Sequence, residues 1–415
     1  MVLITYILTV ILLFPSLYIL GFPIWVDLIL WISLIFILRS RVQILIVCFL
    51  IITISFLINT FDLTTSATQE SDIYYRPHHK YAAHNSYEKN VDSMMIQKFG
   101  DLYKIDDAKI SKKELVKQPR EMRFITDNYG FRNNKYTLEE SEIILVGDSL
   151  IIGHGNTQED IPANQLSEIS SLKVASIAYV GDPDHYEIFV KDHFNVLNKN
   201  SKIILFYFEG NDFYENKDIY IPLNILLRKK YLHMEVNKDR ILFRKIYSKK
   251  NTFTRKIRTI THSINRKLIY IDQLSKVEYH KVGNKYMAFH KNYSNRQNET
   301  YIFKNSEILN KIIAVFLIPP KSKTYAKFIN KDFSNERFLF LKNKYNDFNI
   351  PVIDLSELLT KKANDLLRDD KYLYWRDDTH WNSLGIKISM ECVNNFIKSK
   401  YKNTLNNNLI MNFKC

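Results

Sequence analysis

The hydrophobic pattern divides the chain in two. From Met1 to Phe61 apolar residues run almost without a break, and Asp27, Arg39 and Arg41 are the only charges. Three stretches, about 2–21, 23–38 and 42–61, each approach the roughly 20 residues that cross a bilayer core. The pattern therefore predicts three transmembrane helices over 1–61. Pro23 and Asp27 leave the middle one short enough to read also as a hairpin or re-entrant segment. The segment is too long for one signal peptide and lacks a basic start and a small-residue cleavage site. Arg39 and Arg41 in the second loop face the cytoplasm by the positive-inside rule. With three spans, everything after about residue 62 lies outside.

Residues 62–120 are polar without a sustained period and read as a linker or stalk, with His78, His79 and His84 in a solvated patch. From residue 142 the pattern changes. Five apolar runs, Glu142–Val146, Lys173–Ala178, Lys202–Phe208, Lys311–Ile318 and Pro351–Leu355, are rich in Ile, Val and Leu and do not alternate with polar residues. Strands buried on both faces look like this, as in a parallel sheet covered by helices. Helix-like segments between the runs predict an α/β doubly wound domain with a five-stranded parallel sheet over 121–400. Residues 401–415 form a tail.

Composition narrows the class. With 46% hydrophobic and 25% charged residues the chain is not mainly disordered. Three cysteines exclude a disulfide scaffold and a Cys-rich zinc module. Cys48 falls inside the third predicted span. Cys392 and Cys415 would face an oxidising compartment, where they can pair or stay as two thiols. The net charge is +14 and is unevenly spread: residues 214–310 hold 21 basic and 8 acidic side chains. This stretch reads as an insertion between the third and fourth strands. Within it Arg228–Lys267 interleaves basic residues with Ile241, Leu242, Ile246, Ile257 and Ile260, as amphipathic helices do. Such a segment can contact an anionic glycan, lipid headgroups or a protein, or be a solvated lid in a Lys/Asn-rich chain. No nucleic-acid motif is present, and no nucleic-acid partner is expected.

Four short blocks follow predicted strand ends, where open α/β sheets bind ligands. Gly147-Asp148-Ser149-Leu150 ends the first strand and places a serine hydroxyl where a helix starts. Gly181 follows the second strand and lets the backbone approach a ligand with its N–H. Gly210-Asn211-Asp212 follows the third, with an amide side chain as a further donor. Asp377-Asp378-Thr379-His380-Trp381-Asn382 follows the fifth; an aspartate three residues before the histidine can hold one ring nitrogen and leave the other to take a proton from Ser149. Each block alone is an ordinary turn or cap.

Together and in this order they resemble the four blocks of SGNH (GDSL-type) hydrolases. The form of the last block, with Ser383 and Gly385, is similar to the membrane-linked SGNH-like domains of alginate-type polysaccharide O-acetyltransferases. So are Thr126-Asp127-Asn128-Tyr129-Gly130-Phe131-Arg132 and Ile318-Pro319-Pro320-Lys321. The resemblance implies an SGNH/flavodoxin-like three-layer α/β/α domain. It implies Ser149 as nucleophile, His380 as general base and Asp377 as the residue orienting it, with Asp378 the alternative. The oxyanion hole would be the Ser149 N–H, the Gly181 N–H and the Asn211 side chain. Two positions depart from the family: Ala175 or Ser176 stands where an asparagine often opens the second block, and Ile386 follows Gly385 where many relatives carry histidine. No cofactor and no metal are implied. The expected activity is O-acylation, chiefly O-acetylation, of a cell-surface or extracellular polysaccharide at a bacterial inner membrane, with the catalytic domain periplasmic. A separate multi-span membrane protein would donate the acyl group. An esterase or deacetylase on the same fold, or a non-catalytic glycan-binding scaffold, are the alternatives.

Overall fold

The five apolar runs form one sheet. In the computed structural model the strands are β3 (Ile143–Gly147), β4 (Val174–Ala178), β5 (Lys202–Phe208), β8 (Ile312–Ile318) and β9 (Val352–Asp354), all parallel, in the order β4-β3-β5-β8-β9. The structure describes residues 76–81, 86–105, 112–213, 277–291, 299–401 and 413–415. The predicted spans about 2–21, 23–38 and 42–61, and the basic core Arg228–Lys267, lie outside the described residues. Among the described residues no helix is long and apolar enough to cross a membrane.

Every residue of β3, β4 and β8 is buried. The missing alternation is explained by helices on both faces. Successive side chains of a strand point to opposite sides, and Phe206 and Tyr207 show where each leads. Phe206 stacks on Phe316 at 5.5 Å, and Phe316 meets Phe396 of the helix Ser383–Tyr401. The Tyr207 hydroxyl lies 2.7 Å from that of Tyr345 in the helix Glu336–Asn346. Each fully buried Ile, Leu or Val contributes about 1.5–3 kcal/mol of transfer free energy, so two buried faces hold the sheet rigid beneath the site.

Two further strand pairs depart from the expected organisation. β1 (Asp92–Gln97) and β2 (Arg120–Ile125) form an antiparallel pair within the stretch read as a stalk. Its signal was the alternation Met122, Phe124 inside and Glu121, Arg123 outside, matching the burial of β2. In the same stretch His78 is buried against His154 and Phe124 rather than solvated. The described part of the basic insertion includes a β-hairpin, β6 (Val277–Val282) with β7 (Lys285–His290), turning at Gly283, and a one-turn helix, Ser306–Leu309. A disulfide joins Cys392 to Cys415, tying the C-terminal residue to the last helix.

Candidate active site

Ser149 is the first residue of a one-turn helix, Ser149–Ile152, that leaves the carboxyl end of β3. Asp148 caps it, its Oδ1 accepting the Leu150 N–H at 2.9 Å. The turn closes at Gly153, whose φ of 77° lies in the left-handed region that glycine adopts without strain. Buried Arg132 binds the chain beyond it, donating to the carbonyls of Gly153 at 2.9 Å and Asn156 at 2.7 Å. Burial pulls its guanidinium down to about 10. The Trp381 indole donates to the Leu150 carbonyl at 3.1 Å. The serine is thus held from both the 126–132 motif and the last block.

His380 arrives from a loop closed on itself: Trp375 N–H bonds the His380 carbonyl at 3.1 Å, and Tyr374 pairs with Trp381. Its Nε2 lies 2.8 Å from Ser149 Oγ. Its Nδ1 lies 2.7 Å from Asp378 Oδ1. The carboxylate beside the imidazole is therefore Asp378, not Asp377. The reason is local. Asp378 folds back on its own chain, the same Oδ1 accepting the His380 N–H at 3.2 Å, as an Asx turn does. Asp377 turns the other way. Its Oδ2 accepts the N–H groups of Gly100 at 2.8 Å and Gln118 at 2.9 Å, and its Oδ1 takes the Arg120 guanidinium at 3.0 Å. Gly100 is required there, because a Cβ would stand 2.2 Å from the Asp377 carbonyl oxygen.

The remaining letters of the block are structural. Asn382 Oδ1 accepts the N–H groups of Leu384 and Gly385, both at 3.1 Å, and so caps the last helix. A Cβ on Gly385 would meet the Leu373 carbonyl oxygen at 2.3 Å.

The sheet order sets β4 and β5 on either side of β3, so the second and third blocks flank Ser149. Asn211 Nδ2 donates to Asp148 Oδ2 at 3.2 Å, which leaves its second N–H for another acceptor. Gly181 follows β4 by three residues, and the two blocks are linked. The Tyr186 hydroxyl lies 2.9 Å from Asp212 Oδ1 and 3.2 Å from the Gly181 carbonyl. Behind Asn211, Glu209 pairs with Lys323 at 2.9 Å.

Four residues that sequence reasoning gave no role hold the His380 loop. Arg120 of β2 bridges Asp377 and Asp378. Gln97 of β1 donates to Asp378 Oδ2 at 3.1 Å. Asp101 accepts the Thr379 N–H at 2.8 Å and the Thr379 hydroxyl. Lys321, in the Pro-Pro-Lys stretch after β8, donates to the carbonyls of Asp378 at 2.7 Å, Trp375 at 3.1 Å and Arg376 at 3.3 Å. Three of the four come from the stretch before residue 121. Those three carry no motif, and only their partners reveal them.

Electrostatics follow from burial and pairing. Burial alone would lower His380, but the Asp378 carboxylate, and Asp101 beyond it, raise the imidazole above its usual value. Burial would raise Asp378, yet the facing imidazolium and the Arg120 charge hold it well below the usual carboxylate range. Burial, aided by Asp378, pushes Asp101 up to about 6. Burial pulls Lys321 down to about 7. Burial raises Asp148 and, with the Asp148 charge, Asp212.

Among the described residues, two groups of side chains have metal-ligand chemistry: Asp101, Asp378 and His380, and the partly exposed Asp182, Asp184 and His185. An ion at the first would displace the Nδ1 hydrogen bond that orients His380. In the second, Asp182 and His185 already form the capping box of the helix Pro183–His193.

The chain matches no protein-family model, and no curated protein is similar to it.

Proposed function

We propose that the protein is an SGNH-type serine acyltransferase, anchored by its N-terminal segment to a bacterial inner membrane, that acylates an extracytoplasmic polysaccharide. One observation carries the reading: Ser149 Oγ, His380 and Asp378 form a continuous hydrogen-bonded line of 2.8 Å and 2.7 Å at the carboxyl ends of the central strands. The four-block order supports an SGNH/flavodoxin-like assignment for the α/β domain.

The chemistry is a two-step acyl transfer. Ser149 Oγ bonds to an ester carbonyl carbon while its proton moves to His380 Nε2. The imidazolium keeps its Nδ1–H directed at Asp378. The tetrahedral oxyanion takes hydrogen bonds from the Ser149 N–H, the Gly181 N–H and the free N–H of Asn211 Nδ2. His380 returns its proton to the departing oxygen, leaving acyl-Ser149. A sugar hydroxyl then gives its proton to His380 and attacks the acyl carbon, releasing the serine. The acyl group, acetyl in the favoured case, would come from a multi-span membrane partner. Water as acceptor would make the same site an esterase.

The test uses the purified full-length chain in detergent with a chromogenic acetyl ester, beside Ser149→Ala, with and without an oligosaccharide acceptor. Ser149-dependent cleavage with an acetylated sugar by mass spectrometry is expected. Ser149-dependent cleavage with every sugar unmodified would make it an esterase. Equal rates for wild type and Ser149→Ala would sink the catalytic reading and leave a glycan-binding scaffold.

A further inference from the structure

Asp101 opens a short helix, Asp101–Ile105, in the segment that precedes the α/β domain, yet it lies against the site. Its Oδ2 is 4.0 Å from His380 Nδ1, on the side where Asp378 already stands. It is buried, and both oxygens are engaged by Thr379, the residue between Asp378 and His380. The segment it belongs to is seated firmly. The Tyr103 N–H bonds the Asp377 carbonyl at 3.2 Å, and Gly100 packs on the same backbone.

The charges make a second carboxylate meaningful. Asp378 is the direct partner of the imidazole, but Arg120 is paired to it and to Asp377 at once. Asp378 remains the stronger of the two carboxylates acting on His380, and Asp101 is the second, raising the imidazole from beyond it. When Ser149 loses its proton the imidazole becomes a buried cation, and a buried charge needs a counter-charge. Lys321, from the turn after β8, adds positive charge to the same surroundings. Arg76, His78 and His154 line the small cavity that Asp101 shares with His380, and none of them is an anion. Asp101 is the carboxylate there to which no arginine is paired among the described residues.

We propose that Asp101 is a positioning residue of this site: it holds the Thr379–His380 backbone and supplies a second counter-charge, beside that of Asp378, for the His380 imidazolium. The role rests on the acyl-transfer reading of Ser149 and His380. Asp101 takes no proton from the serine; that proton goes to Nε2 and returns from it. Its own ionisation, pushed up to about 6, then enters the pH dependence. An ionised Asp101 favours the charged imidazole, so removing its charge lowers the proton affinity of His380.

The full-length chain labelled with [15N]histidine is titrated by NMR, and His380 is assigned by the signal lost in His380→Asn. In the wild type the His380 ring nitrogens are expected to titrate above their ordinary midpoint, with a second inflection near 6 from Asp101. In Asp101→Asn the second inflection disappears and the main midpoint falls by about one pH unit. Thr379→Val removes the hydroxyl that lowers Asp101 but keeps its carboxyl, so the second inflection moves up and the main midpoint falls by less than in Asp101→Asn. An equal midpoint in wild type and Asp101→Asn, or an equal shift in Thr379→Val, would overturn the proposal. Should Asp101→Asn not fold, a wild-type titration without the second inflection does so on its own. In the ester assay Asp101→Asn lowers kcat about tenfold at unchanged KM and moves the acid limb to lower pH. Titrations that behave as expected without Ser149-dependent cleavage would leave the effect of Asp101 on His380 standing and overturn the acyl-transfer reading alone.

Discussion

Arg120 places its guanidinium across Asp377 and Asp378, reaching Asp378 Oδ2 at 2.5 Å from a strand some 258 residues earlier in the chain. The fork geometry of arginine lets one side chain meet two neighbouring carboxylates. Asp378 is thereby held with one oxygen on Arg120 and the other on the imidazole. Stripping the cation would leave buried Asp377 with backbone N–H donors alone and Asp378 with Gln97 and the His380 loop. Arg120→Met is expected to lose about 3–5 kcal/mol of stability, measured by denaturant unfolding. Arg120→Lys keeps the charge but not the fork. It is expected to lose less stability and still to lower kcat, because Asp378 is no longer aimed.

The two adjacent aspartates have separable roles. Asp378→Asn leaves the shape of the site but removes the carboxylate that orients and stabilises the imidazolium, and kcat is expected to drop about 10⁴-fold. Asp377→Asn weakens the anchoring of Gly100, Gln118 and Arg120. Its main effect is expected on melting temperature, with kcat of the folded fraction within about tenfold of wild type. Steady-state kinetics of the two variants, normalised to folded protein, decide the assignment. A larger kcat loss for Asp377→Asn would return the role to Asp377.

Asn211 is tethered by one N–H to Asp148, the residue before Ser149. If its second N–H meets the oxyanion, Asn211→Ala lowers kcat about 100- to 1,000-fold while KM changes little. An unchanged kcat would remove Asn211 from the oxyanion hole.

The Cys392–Cys415 disulfide spans a sequence separation of 23 residues. Closing a loop of that length restricts the unfolded chain by about 3 kcal/mol. Cys415→Ser is expected to lower unfolding stability by about that amount and to leave kcat unchanged, since the last helix is anchored at its other end by Asn382. The same loss should follow reduction of the wild type, read by melting in the presence and absence of dithiothreitol.

The five strands and their parallel arrangement were legible in the chain because burial on both faces leaves a continuous run of Ile, Val and Leu. Ser149, Gly181, Asn211 and His380 were legible as candidates because each follows such a run, and strand ends converge wherever a parallel sheet forms. The choice between Asp377 and Asp378 was not, because it depends on how one loop closes. Spacing counts residues, whereas the Asx turn at Asp378 and the grip of Gly100 on Asp377 decide which carboxylate faces the ring. Arg120, Gln97 and Asp101 were hidden for a related reason. Their significance lies in partners more than 50 residues away, and pairing across such a distance leaves no period or motif in the sequence. Local burial pattern determines where strands form and which residues stand at their ends. Which buried charge meets which is decided when separate segments pack, because a carboxylate and its counter-ion need only meet in space.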